Sequence, residues 1–338
     1  MNLPTTATIT AIYNWYESHQ DPNRAHLGAS LIGHECARAL WYVFRWASAT
    51  RHNGRILRLF QRGHREEIEF NKELRAVGVE VYETDPNTGK QWNYKAVGGH
   101  FGLSLDGLCK GLLEDPDQPH TLEFKTSSGK LFAKLCNDGV ERAKPEHYAQ
   151  MQIGMHYSKI HRCFYLCVNK DDDNLYSEIV TYNQAIAQGL AGKAERIITA
   201  TTPSPKLSED SSFYKCKWCN HKAICHEGEI PEVNCRTCCH STPELDGDGR
   251  WSCAYYKVDL DLETQRQSVN CPAHLFIPPL LPWKVLDANV AENWVQYENH
   301  IRNGGDGFTS QELKINPLVC ADPLVKDLKK AFDAEVVA

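Results

Sequence analysis

Residues 121–127 read TLEFKTS, a short run whose alternation decides how the rest of the chain is read. In an extended strand successive side chains leave opposite faces, so Glu123 and Lys125 share one side while Phe124 takes the other. On an open surface that pairing is an ordinary ion pair. On a covered strand it is half of a site, and the flanking chain supplies the other half.

Residues 102–113 (GLSLDGLCKGLL) read as a neighbouring strand, joined to TLEFKT through the loop EDPDQP at 114–119. If the two strands pair antiparallel, that loop has the length to bring Asp106 beside Glu123. Two carboxylates held that close repel unless a cation lies between them, and hard oxygen ligands suit Mg²⁺ or Mn²⁺. Lys125, on the same face, is then placed to orient an attacking water or to offset charge on a phosphoryl group. Glu67, on the helical stretch RGHREEIEF, is the candidate third carboxylate, with Glu66 and Glu69 as rivals. His64 lies one turn upstream as a secondary metal or phosphate contact. Gln150 and Gln152, in HYAQMQIGMHY, are candidates to hydrogen-bond the attacked phosphate or its water.

The chain has 338 residues, enough for a large domain with an appendage or for two domains. No stretch approaches the roughly 20 apolar residues that span a bilayer. The first 20 residues lack a basic region followed by an apolar core, so a cytoplasmic location is expected, the host's if the chain is phage-encoded. A net charge of -6 argues against a protein that coats nucleic acid over its whole surface. Between Arg38 and Arg75, however, nine Lys or Arg stand against four Glu, and Arg58, Arg62 and Arg65 are the candidate phosphate contacts.

Apolar spacing predicts helices over ITAIYNWYESH, LIGHECARALWYVFRWA and the long run from Gly54 to Gly78. Short alternating segments broken by turn signals follow, then a helix after Pro145, two strands around DDDN and a helix over NQAIAQGLAGKAERIITA. That order predicts an α/β (α+β) mixed sheet flanked by helices. After about residue 200 comes a linker-like TTPSPKLSED, then a cysteine-rich stretch. The expected domains are 1–228, 229–280 and a tail at 281–338 read as small, helical or irregular. Trp41, Tyr42, Trp46 and Trp251 are read mainly as core, with base stacking as the alternative.

The 14 cysteines are unlikely disulfide partners in a reducing compartment, and their spacing points to metal. Cys216, Cys219 and Cys225 supply three thiolates and need a fourth, for which Cys36 is the distant candidate and His221 or His226 the rivals in a zinc site. Cys235, Cys238, Cys253 and Cys271 read as a small structural Zn²⁺ site, with Cys239, His240 and His274 as competing ligands. A segment this rich in polar and turn residues has little apolar core, so a metal staple is the expected way to order it.

Taken together, GH..E (Gly63, His64, Glu67), SLDG (Asp106), EFK (Glu123, Lys125) and P.HYAQMQ (Pro145, Tyr148, Gln150, Gln152) resemble the PD-(D/E)XK nucleases, in the branch of lambda exonuclease-like and RecB-like domains. The resemblance runs over roughly residues 30 to 230. It implies a restriction-endonuclease-like sheet and a DNA exonuclease of phage recombination or processing. Glu67, Asp106 and Glu123 would be the divalent-metal ligands, Lys125 the aid to the nucleophilic water, and Gln150 its positioner. Relatives bearing a cluster often carry histidine where Glu67 stands here, so Glu67 is taken as ligand and His64 as secondary. One cysteine ahead of the core and three behind it resembles iron–sulfur nucleases, including those of CRISPR adaptation, which implies a [4Fe–4S] cluster on Cys36, Cys216, Cys219 and Cys225. DNA, and a recombination or single-strand-binding protein, are the implied partners, with no membrane. A non-cleaving DNA adaptor and an iron–sulfur redox sensor are the alternatives on the same fold.

Overall fold

The structure is a computed structural model and describes residues 6–48, 51–268, 271–298 and 308–311. Its contacts divide the chain into two compact units, Met1–Glu35 with Thr50–Ile198 and Cys36–Ala49 with Thr199–Ala338. The division departs from the expected boundary at 228. It moves up to 198, and a segment near residue 40 joins the C-terminal unit.

In chain order the first part carries α1 (Ala7–Ser18), β1 (Leu27–Gly28), α2 (Ala37–Phe44, in the second unit), α3 (Gly54–Ala76), β2 (Glu80–Tyr82), β3 (Asn93–Ala96) and β4 (Phe101–Ser104). Then follow β5 (Gly107–Lys110), β6 (His120–Ser127), α4 (Gly129–Ala143), α5 (Pro145–Ser158), β7 (Arg162–Asn169), β8 (Leu175–Thr181) and α6 (Gln184–Thr199). The main sheet has the order β2-β5-β6-β7-β8. All its pairs are antiparallel except β6 with β7. A parallel pair needs a long crossover, and α4 with α5 provides it. The sequence reading assigned α5 but left α4 unassigned; Gly139, at φ 72, interrupts it near its end.

β6 is the central strand, and that explains the burial of its sequence. Its even positions, Leu122 and Phe124, join Phe70 and Leu74 of α3 and Phe164, Leu166 and Val168 of β7 in one core. The opposite face of β7, with Cys163, Tyr165 and Cys167, packs with Phe132 and Leu135 of α4 and Met151 and Met155 of α5. Glu123 pairs in register with Tyr165, and Lys125 with Cys167. The two charged groups therefore stand on the sheet face that α4 and α5 cover.

α3 starts at Asn53, whose side chain accepts from Ile56 N at 3.0 Å. α5 starts with Pro145 at its first position, where a missing N–H costs nothing, and stops at Lys159 in the left-handed region. The predicted helix over residues 31–47 is realised only as α2, capped by Cys36, whose sulfur accepts from Ala39 N.

The second unit adds α7 (Tyr214–Lys217), α8 (Lys222–His226), β9 (Ser241–Pro243), β10 (Trp251–Cys253), β11 (Val258–Leu260), α9 (Leu262–Gln267), β12 (Val285–Asn289), β13 (Trp294–Tyr297) and β14 (Phe308–Thr309). β11-β10-β9 and β12-β13-β14 are two small sheets. The second of them replaces the helical or irregular tail expected after 281, while residues 312–338 lie outside the described residues. Trp41, Tyr42, Trp46 and Trp251 are buried and so belong to the core of this unit. A fully buried guanidinium organises them: Arg236 lies 3.7 Å from the Trp46 ring centroid and donates to Phe44 O and to Gln265 Oε1. Among the described residues no helix is long and apolar enough to cross a membrane.

Candidate metal-assisted active site

The first unit holds a cleft of about 690 Å³ whose lining includes His64, Glu66, Glu67, Lys125, Lys144 and His147. Of the predicted acid group, Glu67 and Lys125 line it, while Asp106 and Glu123 lie outside the lining and join them through hydrogen bonding and charge. Asp106 ends the turn into β5, and its Oδ2 accepts from the Phe124 backbone N–H at 2.7 Å. That bond ties the acid of SLDG to the strand of LEFK, as the antiparallel pairing required. Glu123 and Lys125 form an ion pair along β6. α3 brings Glu67, with His64 Nδ1 at 3.6 Å from its Oε1.

The electrostatics show the groups acting on one another. Burial, reinforced by the charge of Asp106, raises Glu67 above the usual carboxylate range, against His64 and Lys125. Burial raises Asp106 too, opposed by Lys125 and the Phe124 N–H. Glu123 is pushed up to about 7 by burial, with Lys125 pulling the other way. Burial alone would lower Lys125; the charges of Glu123, Asp106 and Glu67 outweigh it and raise it. Three carboxylates around one ammonium leave an excess of negative charge that only another cation, or protons, can neutralise.

The donor set therefore fits a hard divalent ion: oxygen ligands, net negative charge, one open side. Among the described residues, though, no three or more His, Cys, Asp or Glu side chains form a finished metal-binding group. Glu67, Asp106 and Glu123 are neighbours that an ion would have to draw closer.

Other expected residues fall differently. Glu69 is occupied by Lys72, and Glu66 faces Arg62, which leaves Glu67 as the carboxylate of α3 linked to Asp106 and Lys125. Gln152 is fully buried; its Nε2 donates to Thr181 O at 2.9 Å and its Oε1 accepts from Asn183 N at 2.7 Å. It fastens α5 to the end of β8 and is spent as a substrate contact. Gln150 is half-buried on the same helix and outside the cleft lining. Arg58 and Arg65 are exposed and also outside that lining, and Arg62 donates to Lys170 O. The cations lining the cleft are Arg24, Lys125, Lys144 and Lys170.

The residue missed by sequence reasoning is His147. It lines the cleft, its Nδ1 lies 3.0 Å from Tyr165 Oη, and burial with Lys125 and Lys144 lowers its pKa to about 3. The signal was present in HYAQ, one turn before Gln150, but the helix phase that chooses between them is set by packing.

In the second unit, Cys36 and Cys225 interact electrostatically with Cys219, as does Cys216. His221, a rival ligand, has Nδ1 at 2.7 Å from Ser48 Oγ and its ring against Tyr42. Farther along, Cys235, Cys238, Cys253 and Cys271 line one cavity of about 440 Å³, with His240 and His274 on its wall. Cys238 is lowered to about 6, by a Cys239 hydrogen bond and by N–H groups of Leu275 and His240, against its burial. A thiol so stabilised as thiolate suits a soft metal.

No family model and no curated protein matches the chain. Among solved structures it is similar to the alkaline exonuclease LHK-Exo from Laribacter hongkongensis, at 17% identity and a TM-score of 0.38 over 54% of this chain and 90% of that one. The complex of LHK-Exo with dAMP aligns at 16% identity and 0.39 over 56% and 90%. SSO0001 aligns at 15% and 0.39 over 65% and 96%. These likenesses are distant, and the site stands on its own residues.

Proposed function

We propose that the first unit is a Mg²⁺- or Mn²⁺-dependent deoxyribonuclease of the PD-(D/E)XK type, working as an exonuclease in DNA recombination or processing. One observation carries the reading: Glu67, Asp106, Glu123 and Lys125, from a helix, a turn and a central strand, share one electrostatic neighbourhood, and Glu67 and Lys125 of it line an open cleft. The exonuclease assignment and the DNA partner rest on the motif resemblance.

Glu67, Asp106 and Glu123 would hold the ion. When bound, it polarises the scissile phosphate and makes a water acidic enough to attack at neutral pH. Asp106 is held by the Phe124 N–H, so its carboxylate is oriented before substrate arrives. Lys125 is a donor only and would offset the negative charge that grows on the phosphate. Gln150 is retained as a candidate positioner of the water, and His64 as a second contact to phosphate or metal. Lys144 and Lys170, which line the cleft, would contact the phosphate backbone. Arg58, Arg62 and Arg65, outside the cleft lining, would act farther out along the strand.

For the second unit we propose a [4Fe–4S] cluster on Cys36, Cys216, Cys219 and Cys225 and a Zn²⁺ on Cys235, Cys238, Cys253 and Cys271, both structural. The charge interactions of Cys36, Cys216 and Cys225 with Cys219 and the cavity shared by the second set support this, although among the described residues neither set is drawn together into a finished ligand group, and His274 is the alternative ligand of the second.

The decisive experiment incubates purified full-length protein with end-labelled linear DNA, with and without Mg²⁺. Release of nucleotides only with the metal, lost in Asp106→Asn and Lys125→Ala, is expected. Unchanged cleavage by both variants would falsify the assignment.

A further inference from the structure

α1 is a helix of 12 residues of which none is buried. It is nonetheless firmly placed. The Gly54 N–H donates to Glu17 Oε1 at 2.7 Å, and the His52 N–H to Gln20 Oε1 at 3.0 Å. A Cβ on Gly54 would lie 2.3 Å from Tyr13 O, so α1 approaches the start of α3 as closely as glycine permits. This docking fixes a helix whose aromatic side chains have little to cover in the fold itself.

Those aromatics line the cleft. Trp15 and Tyr16 from α1, His19 just after it and Phe60 from α3 belong to the same lining as Glu67 and Lys125. Trp15 is 56% exposed and Phe60 48% exposed. Trp15 is braced by the His19 ring at 4.7 Å, and Phe60 by the His52 ring edge at 5.1 Å. Large rings kept open to solvent and held rigid are poor core but good stacking surfaces. Lys144 and Lys170 in the same lining supply positive charge suited to a phosphate backbone.

Building on the nuclease reading, we infer that Trp15 and Phe60, with Tyr16 behind them, form a base-stacking wall, so that the cleft takes a nucleic-acid strand with its bases unpaired. A base inside a duplex has both faces covered by its neighbours. An internal base can lay a face on Trp15 only by leaving that stack, which an unpaired strand does most easily. Stacking of this kind is indifferent to base identity, since every base has a π-face.

The test measures binding without cleavage, in EDTA, by fluorescence anisotropy of full-length protein with a fluorescein-labelled 12-mer of dT and with an abasic 12-mer of the same backbone. Trp15→Ala is expected to weaken dT binding about tenfold and to leave abasic binding unchanged, with Trp15→Phe close to wild type. Phe60→Ala should act in the same direction, more weakly. Thermal melts of each variant check the fold; Trp15 is 56% exposed, so Trp15→Ala should melt close to wild type. Equal losses on both oligonucleotides, no loss on dT, or no binding of dT by the wild type would overturn the stacking wall. The outcomes separate from those of the nuclease reading. A base-dependent Trp15 effect in a protein that never cleaves DNA sinks only the hydrolysis. Metal-dependent cleavage with Trp15→Ala binding dT normally sinks only the wall.

Discussion

Glu123 and Lys125 stand on a strand hydrogen-bonded on both sides, whereas Cys235 opens a single 3-10 turn, Cys235–Thr237, with Cys238 at its end. In the first unit regular structure comes first and charged groups are fastened to it at a strained electrostatic cost. In the second unit short elements surround the sulfurs, and buried guanidinium–indole stacking stands in for a layered core. The difference teaches where each site draws its energy. The acid site opposes folding and is held in place by its sheet; the cysteine sites are proposed to contribute to folding once loaded.

The comparison breaks first at the acids. Asp106→Asn or Lys125→Ala should reduce Mg²⁺-dependent release of nucleotides by at least about 1000-fold, roughly 4 kcal/mol of transition-state stabilisation, with far-UV circular dichroism unchanged. In the second unit, Cys238→Ser should remove one Zn²⁺ per chain by elemental analysis and cost about 3–5 kcal/mol or more of stability, seen as a lowered melting transition. If zinc content and melting both stay as in the wild type, the contrast between the units is lost.

Smaller effects sharpen it. Gln152→Leu leaves Thr181 O and Asn183 N without the partners they have now and should cost about 2–3 kcal/mol in denaturant unfolding, while Gln150→Leu should cost almost nothing. His147 gives a pH signature. Its folded pKa of about 3 lies below the ordinary 6.5, so the unfolded chain binds the proton first and stability falls as pH drops below 6.5. Between pH 6.5 and pH 5 that loss is about 2 kcal/mol, and His147→Gln should abolish this part of the slope in chemical denaturation without metal. Last, Lys144→Ala with Lys170→Ala should lower the salt dependence of oligonucleotide binding by about two phosphate contacts, and Arg58→Ala with Arg65→Ala by less.

The D…ExK pair was legible because it depends on period-two alternation and one loop length, both local properties. Glu67 was legible as a helix acid, but its choice over Glu66 and Glu69 needed the ion pairs those two make with Arg62 and Lys72. His147 and the role of Gln152 were not legible, because a helix crossing between parallel strands can be rotated by packing without any change in its apolar pattern. The mixed sheet was read from strand and helix order; α4 was missed, with Gly139 breaking its pattern. The division of the chain at 198 was hidden for another reason. α2 lies far upstream in sequence from the partners of its unit, and no local signal tells a helix which later segment it will serve.

That long-range allegiance bears on how the chain is born. Trp41 donates its indole N–H to Ala200 O, and Arg45 to Arg236 O and Ser241 O. These acceptors leave the ribosome about 8 to 40 s after α2, at roughly 5–20 residues per second. During that interval the three aromatic rings of one short helix, Trp41, Tyr42 and Phe44, wait without the partners that later cover them, the moment at which a chaperone would be most useful. A fragment stopped at residue 198 would never leave that state, so soluble expression of an isolated N-terminal piece should need the α2 segment rewritten with polar residues.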